Sequence, residues 1–168
     1  MAMTPILLPE RIVQVLRVIC PILNDARVEW ATSGSLALAL HGLPVVPKDV
    51  VLKTDRVGVE QTARLLVEYL SHPPGLHLGV RLIRAYMVQL KIQGLEVEVM
   101  GNLEFQSPDG RWNPAPDFRQ KRTTIDYLGL RIPVVSLEFL LALYTQLQRP
   151  GRVALIKARL EALGGGLG

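Results

Sequence analysis

The residues with the clearest chemical potential form the polar turn Ser33-Gly34-Ser35. Residues 28–32 before the turn predict a short strand, and the apolar run 36–40 directly after it predicts a short helix. A glycine between two serines at the start of a helix leaves backbone N–H groups unhindered, and the helix dipole favours an anion there. The turn is therefore a candidate binding site for a phosphate group.

A carboxylate follows the turn, because residues 36–48 lead to Asp49 at the start of a second predicted strand, Val50-Val51-Leu52. This order resembles the nucleotidyltransferase superfamily. Its pattern is Gly followed by Gly or Ser, a gap of about this length, and a strand that reads acidic, hydrophobic, acidic, hydrophobic. Gly34 and Ser35 match the phosphate turn, and Asp49 matches the first acidic position.

The chain also departs from the superfamily pattern. Val51 stands at the second acidic position, on the same face of the strand as Asp49. Val45 and Pro47 stand where members of the superfamily tend to carry Arg and Thr before the first aspartate. The resemblance therefore predicts the fold better than it predicts the chemistry.

Two further carboxylates, Glu96 and Glu98, share one face of a predicted strand. The alternating runs 87–92 and 95–99, joined by Gln93-Gly94, predict a β-hairpin. The simplest interpretation of this pair of glutamates is that they lie on a solvent-exposed face of the strand. In the superfamily, however, a third acidic residue projects from such a strand toward the first acidic site, and Glu98 is the best positional match, with Glu96 as the alternative.

The resemblance implies transfer of a nucleoside monophosphate from a nucleoside triphosphate to a hydroxyl acceptor. It places Ser33, Gly34 and Ser35 on the nucleotide, and it makes Asp49 and Glu98 both the catalytic residues and the ligands of Mg²⁺. Carboxylate oxygens suit this ion. Because Val51 removes one ligand, we expect at most one weakly held magnesium ion.

Other roles for the nearby acidic residues stay open. Asp55 replaces the missing ligand only if the strand ends early and the chain folds back. Asp49 alternatively caps the strand or forms an ion pair with Lys48 or Lys53.

The remaining pattern predicts an α/β (α+β) fold with a nucleotidyltransferase-like mixed β-sheet flanked by helices, including C-terminal helices. We expect one domain over residues 1–163 and a flexible glycine tail over 164–168. Pro21 should kink or end the first helix, and the proline-rich segment 71–75 should stop a helix over 59–70. The later predicted elements are a hairpin placing Phe105 across from Trp112, a hairpin of 124–127 with 130–135, a helix capped by Ser136, and a last helix over 152–163.

Composition narrows the protein class. The single cysteine, Cys20, lies on an apolar helix stripe and predicts a core position, with no disulfide framework. No run of eighteen apolar residues occurs, so we expect a soluble, cytoplasmic protein without a membrane partner. A net charge of +4 is compatible with a nucleotide partner but does not select one.

Three functions remain open from the sequence. The first is an active nucleotidyltransferase. The second is an inactive protein of the same fold that binds a nucleotide or, like an antitoxin, a protein partner, and the residues Val45, Pro47 and Val51 favour it. The third, less favoured, is a nucleic-acid-binding module that uses the basic segment 119–122.

Overall fold

A computed structural model describes residues 6–78 and 83–164. The chain forms an eight-stranded mixed β-sheet with helices packed against it. The helices are α1 (Glu10–Asp25), α2 (Gly34–Leu40), α3 (Arg56–Leu65), α4 (Leu137–Gln146) and α5 (Pro150–Gly164), with a 3₁₀ turn over Val67–Tyr69. The strands are β1 (Trp30–Ser33), β2 (Val50–Thr54), β3 (Leu70–Leu78), β4 (Ile83–Ile92), β5 (Leu95–Gln106), β6 (Trp112–Pro114), β7 (Thr123–Tyr127) and β8 (Leu130–Val134).

The strand order is β3-β4-β5-β2-β1-β8-β7, and β6 pairs with the far end of β5. The pairs β2 with β5 and β1 with β8 are parallel, whereas the others are antiparallel. This arrangement confirms the predicted mixed sheet flanked by helices. It also brings β1, β2 and β5, which carry the candidate site residues, side by side at the centre of the sheet.

The two faces of β2 differ in composition, as the two-residue period of a strand requires. Val50 and Leu52 are fully buried on the face that packs into the hydrophobic core with α1 and α3. Val51 and Lys53 point to the opposite face. Because β2 and β5 are parallel and in register, Val51 lies beside Glu98 and Lys53 beside Met100.

Most of the predicted elements are confirmed. Cys20 is buried in the core. The hairpin of β4 and β5 turns at Gln93-Gly94, and the hairpin of β7 and β8 forms around Gly129. In the predicted hairpin of β5 and β6, Trp112 lies opposite Gln106, one residue from the expected Phe105. The Ser136 hydroxyl caps α4 by accepting a hydrogen bond from the backbone N–H of Phe139 at 3.0 Å.

One predicted boundary is wrong. Segment 71–75 does not stop a helix but belongs to β3, an edge strand that pairs only with β4 in the described chain. Prolines are tolerated there because an edge strand leaves N–H positions without ladder partners. Pro21 does not end α1, which continues to Asp25. Pro21 lies on the exposed side of the helix, where water can satisfy the carbonyl that its missing N–H leaves free.

The glycine tail falls partly inside the structure. Gly164 is the last residue of α5, and residues 165–168 lie outside the described residues. Residues 80–82 of the predicted period-two run are also outside them. No helix in the ranges 6–78 and 83–164 is long and apolar enough to cross a membrane.

Candidate active site

The polar turn and the first acidic residue line one cavity of about 270 Å³, which we call the Gly34 cavity. Ser33, Gly34 and Ser35 form one wall, because β1 ends at Ser33 and α2 begins at Gly34. Asp49, directly before β2, borders the same space. The structure therefore brings together four of the five site residues predicted from sequence.

Gly34 turns the chain from β1 into α2 with a φ of 63°. This left-handed conformation costs an L-residue with a side chain roughly 1–2 kcal/mol. A Cβ atom at Gly34 would also contact the Val51 side chain at 3.6 Å. The turn is thus packed directly against the residue that replaces the second acidic position of the resemblance.

Ser33 carries a buried hydroxyl without a partner. The residue is 1% exposed, and its Oγ has no hydrogen-bond partner in the part of the chain that the structure describes. It is the N-cap residue of α2, yet its side chain does not cap the helix. Burying a polar group without a hydrogen bond is costly, so an unpartnered hydroxyl that lines a cavity points to a ligand.

Two basic side chains also line the Gly34 cavity. They are Arg149, directly before α5, and Arg152, in the first turn of α5, and Tyr144 of α4 lines the cavity with them. Their guanidinium carbons lie 5.7 and 5.9 Å from the centre of the Tyr144 ring. Nη1 of Arg152 is buried and, among the described residues, has no hydrogen-bond partner. Arg152, which lines the same cavity as Ser33, therefore also carries a buried donor without an acceptor.

Lys53 adds a third cation to this cavity. It is 5% exposed, and its ammonium donates a hydrogen bond of 3.5 Å to Sδ of Met100. A thioether is a weak acceptor for a charged donor. Burial lowers the pKa of Lys53 from 10.5 to about 8, and the Glu98 carboxylate opposes this shift. Lys53 is therefore protonated at neutral pH in poorly compensating surroundings.

Glu98, the fifth predicted site residue, lies beside the Gly34 cavity and not in its wall. It lines a neighbouring cavity of about 220 Å³ with His77, and the two cavities share Ile83, Met100 and Leu103. Burial raises the pKa of Glu98, and the Asp49 carboxylate raises it further. The two carboxylates are thus near enough to interact. The alternative residue Glu96 is exposed and lies opposite Lys91 in the hairpin.

The other acidic and basic candidates are engaged elsewhere. Asp55 caps α3 by accepting a hydrogen bond from the N–H of Gly58 at 2.7 Å, and it pairs with Arg119 at 3.2 Å. It therefore does not replace the carboxylate missing at Val51. Arg122 of the basic segment pairs with Glu29 at 2.9 Å. Among the described residues, neither Lys48 nor Lys53 forms an ion pair with Asp49.

The donor set does not fit a centre of two magnesium ions. Two divalent ions need several carboxylate oxygens, but Asp49 is the only carboxylate among the described residues of the Gly34 cavity. Val51 contributes an isopropyl group, and the Lys53 ammonium occupies the next position on the same face. Across 6–78 and 83–164, no group of three or more His, Cys, Asp or Glu side chains is placed to hold a metal ion. Magnesium ligation by Asp49 and Glu98 stays a prediction.

A second cavity, of about 450 Å³, adjoins the first and shares Lys53, Met100 and Leu103 with it. We call it the Asp55 cavity. Its lining combines two aromatic rings, Phe118 and Phe139, with acidic residues that are paired to arginines. The Lys53 side chain therefore lies between two spaces, each large enough for part of a ligand.

Sequence reasoning missed Lys53, Arg149 and Arg152 as site residues. The strand period offered a signal for Lys53, since it falls on the same face as Asp49 and Val51. The arginines offered none, because only the packing of α4 and α5 brings them to the turn.

Comparisons with known proteins agree with the fold. A family model described as aminoglycoside-2''-adenylyltransferase matches residues 15–154. No match was found among curated proteins. A crystal structure from Thermotoga maritima, of a protein assigned as a nucleotidyltransferase, is 29% identical, with a TM-score of 0.79 over 93% of this chain and 96% of that one.

Two antibiotic-modifying proteins share the fold at lower identity. ANT(2'')-Ia in complex with adenylyl-2''-tobramycin is 10% identical, with a TM-score of 0.61 over 94% of each chain. The lincosamide antibiotic adenylyltransferase LnuA, with lincomycin bound, is 14% identical, with a TM-score of 0.55 over 90% of this chain and 98% of that one.

Proposed function

Because the chain belongs to the aminoglycoside-2''-adenylyltransferase family, a branch of the nucleotidyltransferase superfamily, we propose that its Gly34 cavity binds the phosphates of a nucleoside triphosphate. The observation that carries the proposal is the pair of unpartnered buried donors in that cavity, Oγ of Ser33 and Nη1 of Arg152. Phosphate oxygens are strong acceptors that would satisfy both donors at once.

The charge of the cavity supports an anionic ligand. Lys53, Arg149 and Arg152 line it together with one carboxylate, Asp49, so its formal charge is positive. A guanidinium presents its N–H donors in a planar fork that matches phosphate geometry. Ser33 and the turn that follows it line the same cavity as these basic side chains.

Nucleotide binding is tested by a thermal-shift panel of ATP, GTP, CTP and UTP. A nucleotide at a hundred times its dissociation constant stabilises the fold by about 2.7 kcal/mol. Arg152→Met should remove most of the shift. Arg131→Met is the matched control, because Arg131 is exposed on β8 and its side chain lies outside the cavity. No shift with any nucleotide, or an unchanged shift in Arg152→Met, refutes the proposal.

Transfer of the nucleoside monophosphate to a hydroxyl acceptor is the second candidate function. The Asp49 carboxylate and the adjoining Asp55 cavity, which offers space for an acceptor, favour it. In this reaction the acceptor oxygen bonds to the α-phosphorus, and the bond from the α-phosphorus to pyrophosphate breaks. Asp49 accepts the proton of the hydroxyl, and the arginines stabilise the charge on pyrophosphate.

Transfer is tested by pyrophosphate release from ATP, with tobramycin and lincomycin as acceptors because related proteins were solved with these antibiotics. Asp49→Asn should abolish any release and keep the thermal shift with ATP. Release that persists in Asp49→Asn contradicts the role of Asp49. No release from the native chain refutes transfer to these two acceptors and leaves nucleotide binding intact.

A further inference from the structure

One face of β2 has no charge at the second acidic position of the superfamily pattern and a positive charge at the next residue on that face. Where the superfamily pattern places a carboxylate, this chain has Val51, and the following residue on that face is Lys53. This strand face therefore carries an apolar side chain at the second acidic position and a positive charge at the next position. Both residues lie beside β5, opposite Glu98 and Met100.

We propose that the ammonium of Lys53 takes the place of a divalent cation, so that the Gly34 cavity binds nucleotide phosphates directly and without magnesium. The inference rests on the proposed nucleotide binding and names the residue that makes this binding metal-independent. A divalent ion in such a site neutralises phosphate charge between carboxylates and ligand. The ammonium of Lys53, which lines this cavity, supplies the same sign of charge.

The surroundings of Lys53 support this role. The Lys53 ammonium reaches only the Met100 sulfur as a hydrogen-bond acceptor among the described residues, which leaves its other donors available to a ligand. Lys53 lines both the Gly34 and the Asp55 cavities, so its side chain borders the space for a ligand in either. Arg149 and Arg152 provide further positive charge in the Gly34 cavity, where a metal-dependent site would rely on the ion.

Calorimetric titration with ATP, in EDTA and in excess magnesium, tests the inference. We expect the native affinities in the two conditions to agree within about threefold. Lys53→Met and Lys53→Gln should bind ATP roughly tenfold or more weakly in EDTA, because each loses a charged hydrogen bond to phosphate. Lys91→Met, at an exposed lysine of β4, is the matched control and should bind like the native chain. Circular dichroism checks that all variants are folded.

The other outcomes separate this inference from the proposed function. Native binding that requires magnesium overturns the role of Lys53 and leaves nucleotide binding standing. Unchanged ATP affinity of both Lys53 variants in EDTA overturns it as well. If the native chain binds ATP in neither condition, the proposed function fails, and the inference fails with it.

Discussion

Replacing Lys53 with methionine should make the protein more stable at neutral pH. The lysine ammonium is buried against a thioether, and burial lowers its pKa from 10.5 to about 8. A shift of this size corresponds to a cost of about 3 kcal/mol in the folded state at pH 7. Methionine is an unbranched apolar residue that can follow the same path beside Met100, and it removes that cost.

The lowered pKa of Lys53 also determines how the stability of the native chain changes with pH. A folded-state pKa below the unfolded one means that the unfolded chain binds more protons between pH 8 and 10.5. Stability of the native chain therefore rises with pH through this window, and the full penalty is present below pH 8. The advantage of Lys53→Met should fall from about 3 kcal/mol at pH 7 to about 1 kcal/mol at pH 9.5.

Urea unfolding of the native chain and of Lys53→Met at pH 7 and pH 9.5 measures this difference. Lys91→Met, at an exposed lysine, is the control and should change the free energy of unfolding by less than about 0.5 kcal/mol. A Lys53→Met variant that is less stable than the native chain at pH 7, or whose advantage does not shrink at pH 9.5, refutes the reasoning. A gain in stability together with weaker ATP binding would identify Lys53 as a residue that serves ligand binding at the expense of the fold.

Three further substitutions test the turn and the missing carboxylate. Ser33→Ala should leave the free energy of unfolding unchanged or raise it, because the Ser33 hydroxyl is buried without a partner. Calorimetry should show weaker ATP binding by this variant. A loss of stability contradicts the view that the hydroxyl has no partner in the folded protein. Gly34→Ala should lower the free energy of unfolding by about 1 kcal/mol, because Gly34 has a φ of 63°. Gly75→Ala is the control and should change this free energy little, since its added Cβ meets no atom within 4 Å. Equal effects of the two substitutions in urea unfolding argue against backbone strain at Gly34. Val51→Asp should raise the affinity for Mn²⁺ measured by electron paramagnetic resonance, since it adds a carboxylate beside Asp49. An unchanged affinity contradicts the claim that Val51 stands at the position of a metal ligand.

Local patterns predicted the central elements of the fold well. The period-two run around Gln93-Gly94 is a hairpin, and Ser136 caps its helix as its position predicts. The prediction was wrong at 71–75, because two prolines indicate a turn unless the segment lies at a sheet edge, and sequence does not reveal which strand is an edge. The start of α3 at Arg56 had an available signal in Asp55, which caps the helix.

Only part of the candidate site could be predicted from the sequence. The turn at Gly34 and the Asp49 position follow from a contiguous pattern, so sequence alone located them. Arg152 of α5 lines the cavity together with Ser33 and Asp49, which lie more than a hundred residues before it in the chain, and no local pattern indicates this contact. Lys53 was considered as an ion-pair partner of Asp49, but its burial beside Met100 depends on the register of β2 with β5.

A crystal structure of the native chain with ATP, grown in EDTA, measures the central claim most directly. We expect the phosphates in the Gly34 cavity, accepting hydrogen bonds from Oγ of Ser33, the guanidinium of Arg152 and the ammonium of Lys53. ATP bound outside that cavity, or complexes that form only with magnesium held by Asp49 and Glu98, would contradict the claim.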